Sequence, residues 1–130
     1  MDIRIYEDKD YKTLEGWWKE HGWEPVPEFM LSDYGIVVSN GDEDLVAGFI
    51  LEGNFEFVML EWIVGNPTAK KTKVYKAIDR LYSCAEKIAK ERKVPALLQT
   101  LKPDTGLSKY VEKNGWIQGD TNITMYLKGV

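Results

Sequence analysis

The strongest constraint on this chain lies in residues 55–64, Phe-Glu-Phe-Val-Met-Leu-Glu-Trp-Ile-Val, where apolar character is nearly unbroken. A strand with one wet face alternates polar and apolar residues, whereas a nearly continuous run fits a central strand covered on both faces. Such a strand requires a layered fold in which helices cover the sheet. The chain then turns at Gly65-Asn66-Pro67, passes the basic run Lys70-Lys71-Thr72-Lys73 and enters a helix. A strand that ends in a loop at a helix N-terminus presents unpaired N–H groups and the positive end of the helix dipole. Together these favour an anion such as a pyrophosphate. Residues 56–78 are therefore where chemistry is expected.

At 130 residues the chain fits one domain, spanning 1–130, with a single core. Its 17 basic and 21 acidic residues leave a net charge of -4. No global basic field results, and nucleic acid is not an expected partner. Cys84 is the only cysteine, which excludes an intramolecular disulfide and a cysteine-cluster metal site and suits a reducing cytoplasm. No metal is expected. No run approaches the ~18 apolar residues of a membrane span, and Met1-Asp2-Ile3-Arg4 does not open a signal peptide, so a cytoplasmic location without membrane contact is expected.

Residues 3–6 alternate like a short strand, and Asp8 or Asp10 can cap a helix running through Leu14, Trp17 and Trp18 to Gly22. Residues 34–39 and 45–52 read as strands joined across Asn40-Gly41-Asp42, since these turn residues accept positive φ. A second turn at Gly53-Asn54 leads into the strand at 55–64. From 72 to 92, Val74, Ile78, Leu81, Ala85 and Ile88 recur at spacings of three and four, the pattern of an amphipathic helix. Residues 96–101 form a further strand. Asp104 or Thr105 caps a helix through Leu107, Tyr110 and Val111 that ends at Asn114-Gly115. Residues 116–118 and 123–127 then read as a closing strand pair across Gly119-Asp120. The expectation is an α/β (α+β) domain with a mixed, mostly antiparallel sheet of about six or seven strands flanked by helices.

That order of elements, with Val111-Glu112-Lys113-Asn114-Gly115-Trp116 closing the late helix, resembles the GNAT superfamily of acetyl-coenzyme A-dependent N-acetyltransferases over almost the whole chain. In that superfamily a central strand runs beside the acyl-CoA, and a Gln/Arg-x-x-Gly-x-Gly/Ala loop holds the pyrophosphate at the next helix. Here Ala69, Thr72 and Val74 stand at the three motif positions. The resemblance therefore implies a phosphate site in which Lys70, Lys71 and Lys73, as mobile charges beside Thr72 and Val74, replace what the absent glycines supply. The plain alternative is a solvated helix start. A backbone N–H among Trp62, Ile63 and Val64 is implied to polarise the thioester carbonyl.

For the general base the resemblance points to a strand glutamate, Glu61 or Glu56. The two lie an odd number of residues apart and so face opposite ways on a strand. Glu61, set among apolar neighbours, is favoured, because burial raises a carboxylate pKa toward a useful value. The superfamily's late-helix tyrosine, a general acid, is replaced by Val111. Tyr110 is the remaining candidate, although one residue is a turn of about 100° on a helix, which reads it as a core aromatic. Trp17, Trp18, His21 and Trp23 cluster where the fold implies an acceptor site, and Glu20, Glu24 and Glu28 make that edge acidic, as an amine would require. Their alternatives are a core role for at least one tryptophan and an idle surface histidine.

Two functional classes follow. One is an enzyme moving acetyl from acetyl-CoA directly to a small-molecule or protein amine. The other is a non-catalytic GNAT-fold protein-interaction module. A homodimer through the apolar edge at residues 123–127 is a further expectation.

Overall fold

The computed structural model describes residues 1–130, which divide into two compact units, Met1–Gln99 and Thr100–Val130. The first unit contains β1 (Asp2–Ile5), α1 (Tyr11–Glu20), β2 (Gly35–Asn40), β3 (Glu43–Leu51), β4 (Val58–Gly65), α2 (Lys71–Glu91) and β5 (Leu97–Leu98). They build one five-stranded sheet in the order β1-β2-β3-β4-β5. The first four strands are antiparallel, and β5 lies parallel to β4. A parallel neighbour requires a crossover, and α2 is that crossover.

Side-chain alternation assigns the two faces. Val37, Ala47 and Val64 lie in register across β2, β3 and β4, and with Phe49 they bury against Leu14, Trp17 and Trp18 of α1. The residues between them, Ile36, Val38, Val46, Ile50 and Leu60, are also buried and face the other way. There they meet the apolar stripe Ala77, Leu81, Ala85 and Ile88 of α2, each of which is buried. Each large apolar side chain so covered contributes about 1.5–3 kcal/mol. The β2–β3 hairpin turns at Gly41, whose φ of 65° is the left-handed value that a two-residue hairpin requires.

At the N-terminal edge, Arg4 donates to both Asp10 oxygens, at 2.8 and 2.9 Å, and to Asp44 at 2.9 Å. The expected Asp10 cap of α1 is not made. Its carboxylate instead accepts from the Glu7 N–H at 2.8 Å, closing a 3-10 turn over Asp8–Asp10 ahead of the helix.

The second unit holds α3 (Gly106–Lys113), capped by Thr105 through Ser108 and ended at Gly115, φ 85°. The closing strand pair expected at 116–118 and 123–127 is not formed. Residues 116–130 carry no helix or strand, so the sheet has five strands, not six or seven. An alternating run with no paired neighbour has no sheet to join, and neither Gly119 nor Asp120 takes the positive φ of a tight hairpin turn. Ile117, Ile123, Met125, Tyr126 and Leu127 remain exposed.

Candidate active site

Strand β4 is irregular at its centre. Phe49 pairs with Glu61 and Ala47 with Val64, so Gly48 alone faces both Trp62 and Ile63. β4 thus carries one extra residue, a β-bulge. The bulge resets the alternation: Glu61 shares the α1 face with its partner Phe49, and Val64 returns to that face with Ala47. Ile63 turns toward α2, where its Cγ1, with Leu81 and Leu60, would touch a Cβ at Gly48 at 3.3, 3.0 and 3.3 Å. A glycine at 48 is what lets the bulge and α2 approach so closely. Trp62 makes the turn with φ 58°, a conformation costing a bulky L-residue roughly 1–2 kcal/mol. Strain of this kind in mid-strand persists where the surroundings impose it, and it re-aims the local backbone groups.

On its other side β4 is barely paired. Only Val58↔Leu97 and Met59↔Leu98 join it to β5, so beyond Met59 the backbone edge from Leu60 to Gly65 is left without a strand partner. The bulge therefore sits on an open strand edge. Glu61, 5% exposed, lies at the start of that edge.

At the far end of β4 the chain enters α2 through a compact loop. Asn66 braces it: its side-chain nitrogen donates to Asp44 O at 2.9 Å, and its oxygen accepts from Thr68 N and Oγ1 at 3.0 and 2.9 Å. No residue from 66 to 74 has positive φ, so the loop reaches the helix without the glycines whose absence the sequence made conspicuous. Lys70 is the N-cap and makes no capping bond, and the first turn holds no acid. The first-turn N–H groups of Lys71 and Thr72 consequently point out of the helix end with no side-chain acceptor. Lys70, Lys71 and Thr72 are exposed, whereas Lys73 is tied to Glu43 at 3.2 Å. Val74 Cγ1 lies against Gly65, within 3.0 Å of where a Cβ would be, which seats the helix start on the strand end.

The other sequence-nominated residues divide. Glu56 is not on the strand. Phe55 and Phe57 stack at 4.3 Å in a loop that delays β4 until Val58, leaving Glu56 exposed and remote in chain terms from the bulge. Trp17 and Trp18 are both core residues, 7% and 3% exposed. Their indoles fill the space between α1 and the sheet. His21 is exposed but not idle: its Nε2–H donates to the Gly65 carbonyl at 2.8 Å, and its ring stacks on Trp23 at 4.4 Å. That bond fastens the end of α1 to the end of β4. In the second unit Tyr110 is buried on α3.

Sequence reasoning missed two groups. Tyr82 of α2 is 3% exposed, and burial pushes its hydroxyl up to about 12, with the Glu61 charge adding to the shift and the adjoining Gln99 carboxamide opposing it. Gln99 directly follows β5. Its carboxamide nitrogen and oxygen are both shielded from solvent. Within an amphipathic stripe a tyrosine reads as core, and nothing marked either residue.

On the α1 face, a cavity of about 260 Å³ is lined by Tyr6, Asp8, Glu28, Phe29 and Asp33, among others. Tyr6 connects it to the sheet by an edge contact with Phe49 at 5.0 Å. Its three carboxylates form no ion pair.

A parallel strand pair that parts beyond two residue pairs, a bulged inner strand and an open helix N-terminus at its end define the GNAT fold. Solved structures carry the same fold. A transcriptional regulator from Bacillus halodurans C-125 superposes with a TM-score of 0.70 at 15% identity, over 97% of this chain and 99% of that one. A point variant of TTHA1254 from Thermus thermophilus gives 0.69 at 17%, over 100% and 99%. The acetyltransferase AAC(6')-Iy, in complex with a CoA-linked bisubstrate analogue, gives 0.64 at 14%, over 99% and 98%. No protein-family model matches the sequence, and no curated relative does. No helix is long and apolar enough to cross a membrane.

Proposed function

We propose that the chain is an acetyl-CoA-dependent N-acetyltransferase that moves acetyl directly to an amine. The observation that carries this reading is the left-handed Trp62 bulge on the unpaired edge of β4. An edge with no strand partner beyond Met59 suits the two amides of a pantetheine arm, and a re-aimed N–H among Trp62, Ile63 and Val64 suits the oxygen of a thioester. The pyrophosphate then meets the N–H groups of Lys71 and Thr72 at the α2 N-terminus, with Lys70 and Lys71 supplying charge. Lys73 contributes less, because Glu43 already holds it. Val74 acts by seating the helix.

Glu61 is the general base in this reading. It is buried on the α1 face, the side from which the amine approaches, and takes the nitrogen's proton as the C–N bond forms. Tyr110, buried in α3, is assigned a packing role. Trp17 and Trp18 hold the wall of the acceptor side from within the core, and His21 and Trp23 form its outer rim. The acidic cavity with Asp8, Glu28 and Asp33 supports a cationic acceptor, since uncompensated carboxylates beside an aromatic ring attract ammonium groups.

Isothermal titration with acetyl-CoA tests the proposal. Binding should be detectable and should raise the melting temperature, since ligand at 100 times its dissociation constant adds ~2.7 kcal/mol. No heat and no stabilisation at millimolar ligand would sink it.

A second reading, the non-catalytic interaction module, is favoured by the exposed C-terminal residues Ile123, Met125 and Leu127. Their alternate spacing suits a strand completed by another chain, a second copy included. Deleting residues 117–130 separates the readings: acetyl-CoA binding survives if that segment serves only a partner.

A further inference from the structure

Strand β3 runs buried from Leu45 to Ile50, and within that run Gly48 alone contributes no side chain. Its φ is not positive, so no left-handed backbone calls for a glycine there. Glycine inside a strand is less stable than alanine. What Gly48 supplies in return is space for something that approaches it closely.

The contacts show what fills that space. A Cβ at Gly48 would lie 3.3 Å from Leu60 Cδ1, 3.3 Å from Ile63 Cγ1 and 3.0 Å from Leu81 Cδ2. Leu60 and Ile63 are three residues apart, and in a regular strand an odd separation sends side chains to opposite faces. Both reach the α2 side of Gly48 because the extra residue between them, at the Trp62 bulge, resets the alternation. The two side chains that flank the bulge thus converge on the one position of buried β3 where no side chain stands, and Leu81 closes that position from α2. Backbone register and side-chain contact identify the same place independently.

A left-handed tryptophan in mid-strand persists where its surroundings impose it. The open position at Gly48 does so by accepting Ile63 on the α2 side, while Val64 is held on the α1 side opposite Ala47, which leaves Trp62 to take the turn. Resting on the acetyltransferase reading, we propose that Gly48 is a positioning residue, one that fixes the bulge and so aims the backbone N–H among Trp62, Ile63 and Val64 at the thioester oxygen. Gly48 itself touches neither acetyl-CoA nor amine; it acts through Ile63. A methyl at 48 would press on carbons from both sides of the bulge at 3.3 Å, inside the resting separation of about 3.5–4.0 Å. The bulge is then pushed off its seat, and a donor aimed at a single atom weakens steeply as its angle changes.

The test is Gly48→Ala, read by isotope-edited infrared spectroscopy of bound acetyl-CoA labelled with carbon-13 at the thioester carbonyl, beside titration for affinity and a thermal melt. The carbonyl stretch reports polarisation of that bond directly and requires no amine. In the parent it should move to lower frequency on binding, and in Gly48→Ala it should return most of the way to the free value, with affinity for acetyl-CoA unchanged. The double variant Gly48→Ala/Leu81→Val separates positioning from packing. It conserves core volume and removes the contact at 3.0 Å, yet leaves both β4 contacts in place, so the melting temperature should recover while the carbonyl stays near its free value. It also decides the matter if Gly48→Ala does not fold. A folded Gly48→Ala protein with the parental carbonyl shift overturns the proposal, as does a double variant in which the shift returns together with stability. A parent whose bound carbonyl is unshifted overturns it too. If the parent binds no acetyl-CoA, the acetyltransferase reading itself falls and takes this assignment with it. Binding with equal carbonyl shifts in parent and variant removes this assignment alone.

Discussion

Gly65 is the joint on which α2 is seated, and replacing it with Ala should disturb that joint by a calculable amount. A Cβ there lies 3.0 Å from Val74 Cγ1, whereas carbons at rest keep about 3.5–4.0 Å, so the overlap is about 0.5–1.0 Å. Gly65 does not have positive φ. Alanine therefore meets no backbone strain and gains about 0.4–1 kcal/mol by restricting the unfolded chain. Val74 cannot swing clear, because valine in a helix holds one χ1 rotamer about nine times in ten. The helix start must shift, and overpacking of this kind costs about 1–3 kcal/mol. A net loss of about 1 kcal/mol follows, or roughly 4 °C in melting temperature at about 2.1 cal/mol/K per residue. Urea denaturation of the parent, G65A, V74A and the double variant provides the assay. Removing the Val74 methyls should recover most of the loss, giving a coupling of about 1 kcal/mol between the two sites. Parental stability in G65A, or strictly additive effects in the double variant, would refute the steric argument.

The lysines differ in availability, so a K70A/K71A double variant should weaken acetyl-CoA binding at low salt several-fold more than K73A; equal losses in titration would contradict the Glu43 pairing. Asp10 is held below its ordinary value near 3.8, chiefly by the Arg4 hydrogen bonds. Its stabilisation is therefore complete above that value and fades as pH falls through the lower, folded-state value. D10N should cost about 1.5–3 kcal/mol at pH 7 and should flatten the stability profile below pH ~4; an unchanged acid limb in urea melts would argue against it. W17A or W18A should each destabilise by about 3–5 kcal/mol, whereas H21A should cost about 1 kcal/mol through its lost bond to Gly65. Similar chemical denaturation midpoints for all three would contradict the core placement of the tryptophans.

The elements with local signals were legible in the sequence. Expected from 72 to 92, α2 runs from Lys71 to Glu91 because five apolar residues mark its stripe. The β2–β3 turn lay in Asn40-Gly41-Asp42, where glycine supplies positive φ. Thr105 and Gly115 marked the ends of α3. The Trp62 bulge was not legible, since no residue type there announces a left-handed conformation; tryptophan argues against one. Register against β3 determines it, and register is a property of two distant segments. Glu56 was misplaced for a related reason: Phe55 and Phe57 look like strand residues, yet they stack on each other before the strand begins. The closing strands failed because alternation predicts a face, and an exposed run with no paired neighbour has no sheet to join. The same limit concealed Tyr82 and Gln99, polar side chains whose burial depends on how α2 and β5 pack beside β4.

That pairing also sets a clock. Two residue pairs and a neighbouring hydrogen bond from Val58 N to Ala96 O at 3.1 Å are all that zip β5 to the rest of the sheet, whereas β3 and β4 are paired along most of their lengths. In hydrogen exchange, amides at this short seam should lose protection through small local openings long before those of β3, which open only with the whole sheet. The seam would then breathe at native conditions like the free end of a zip. An elongated ligand laid along the split would add rungs to it, so the same amides would slow selectively when the split is filled.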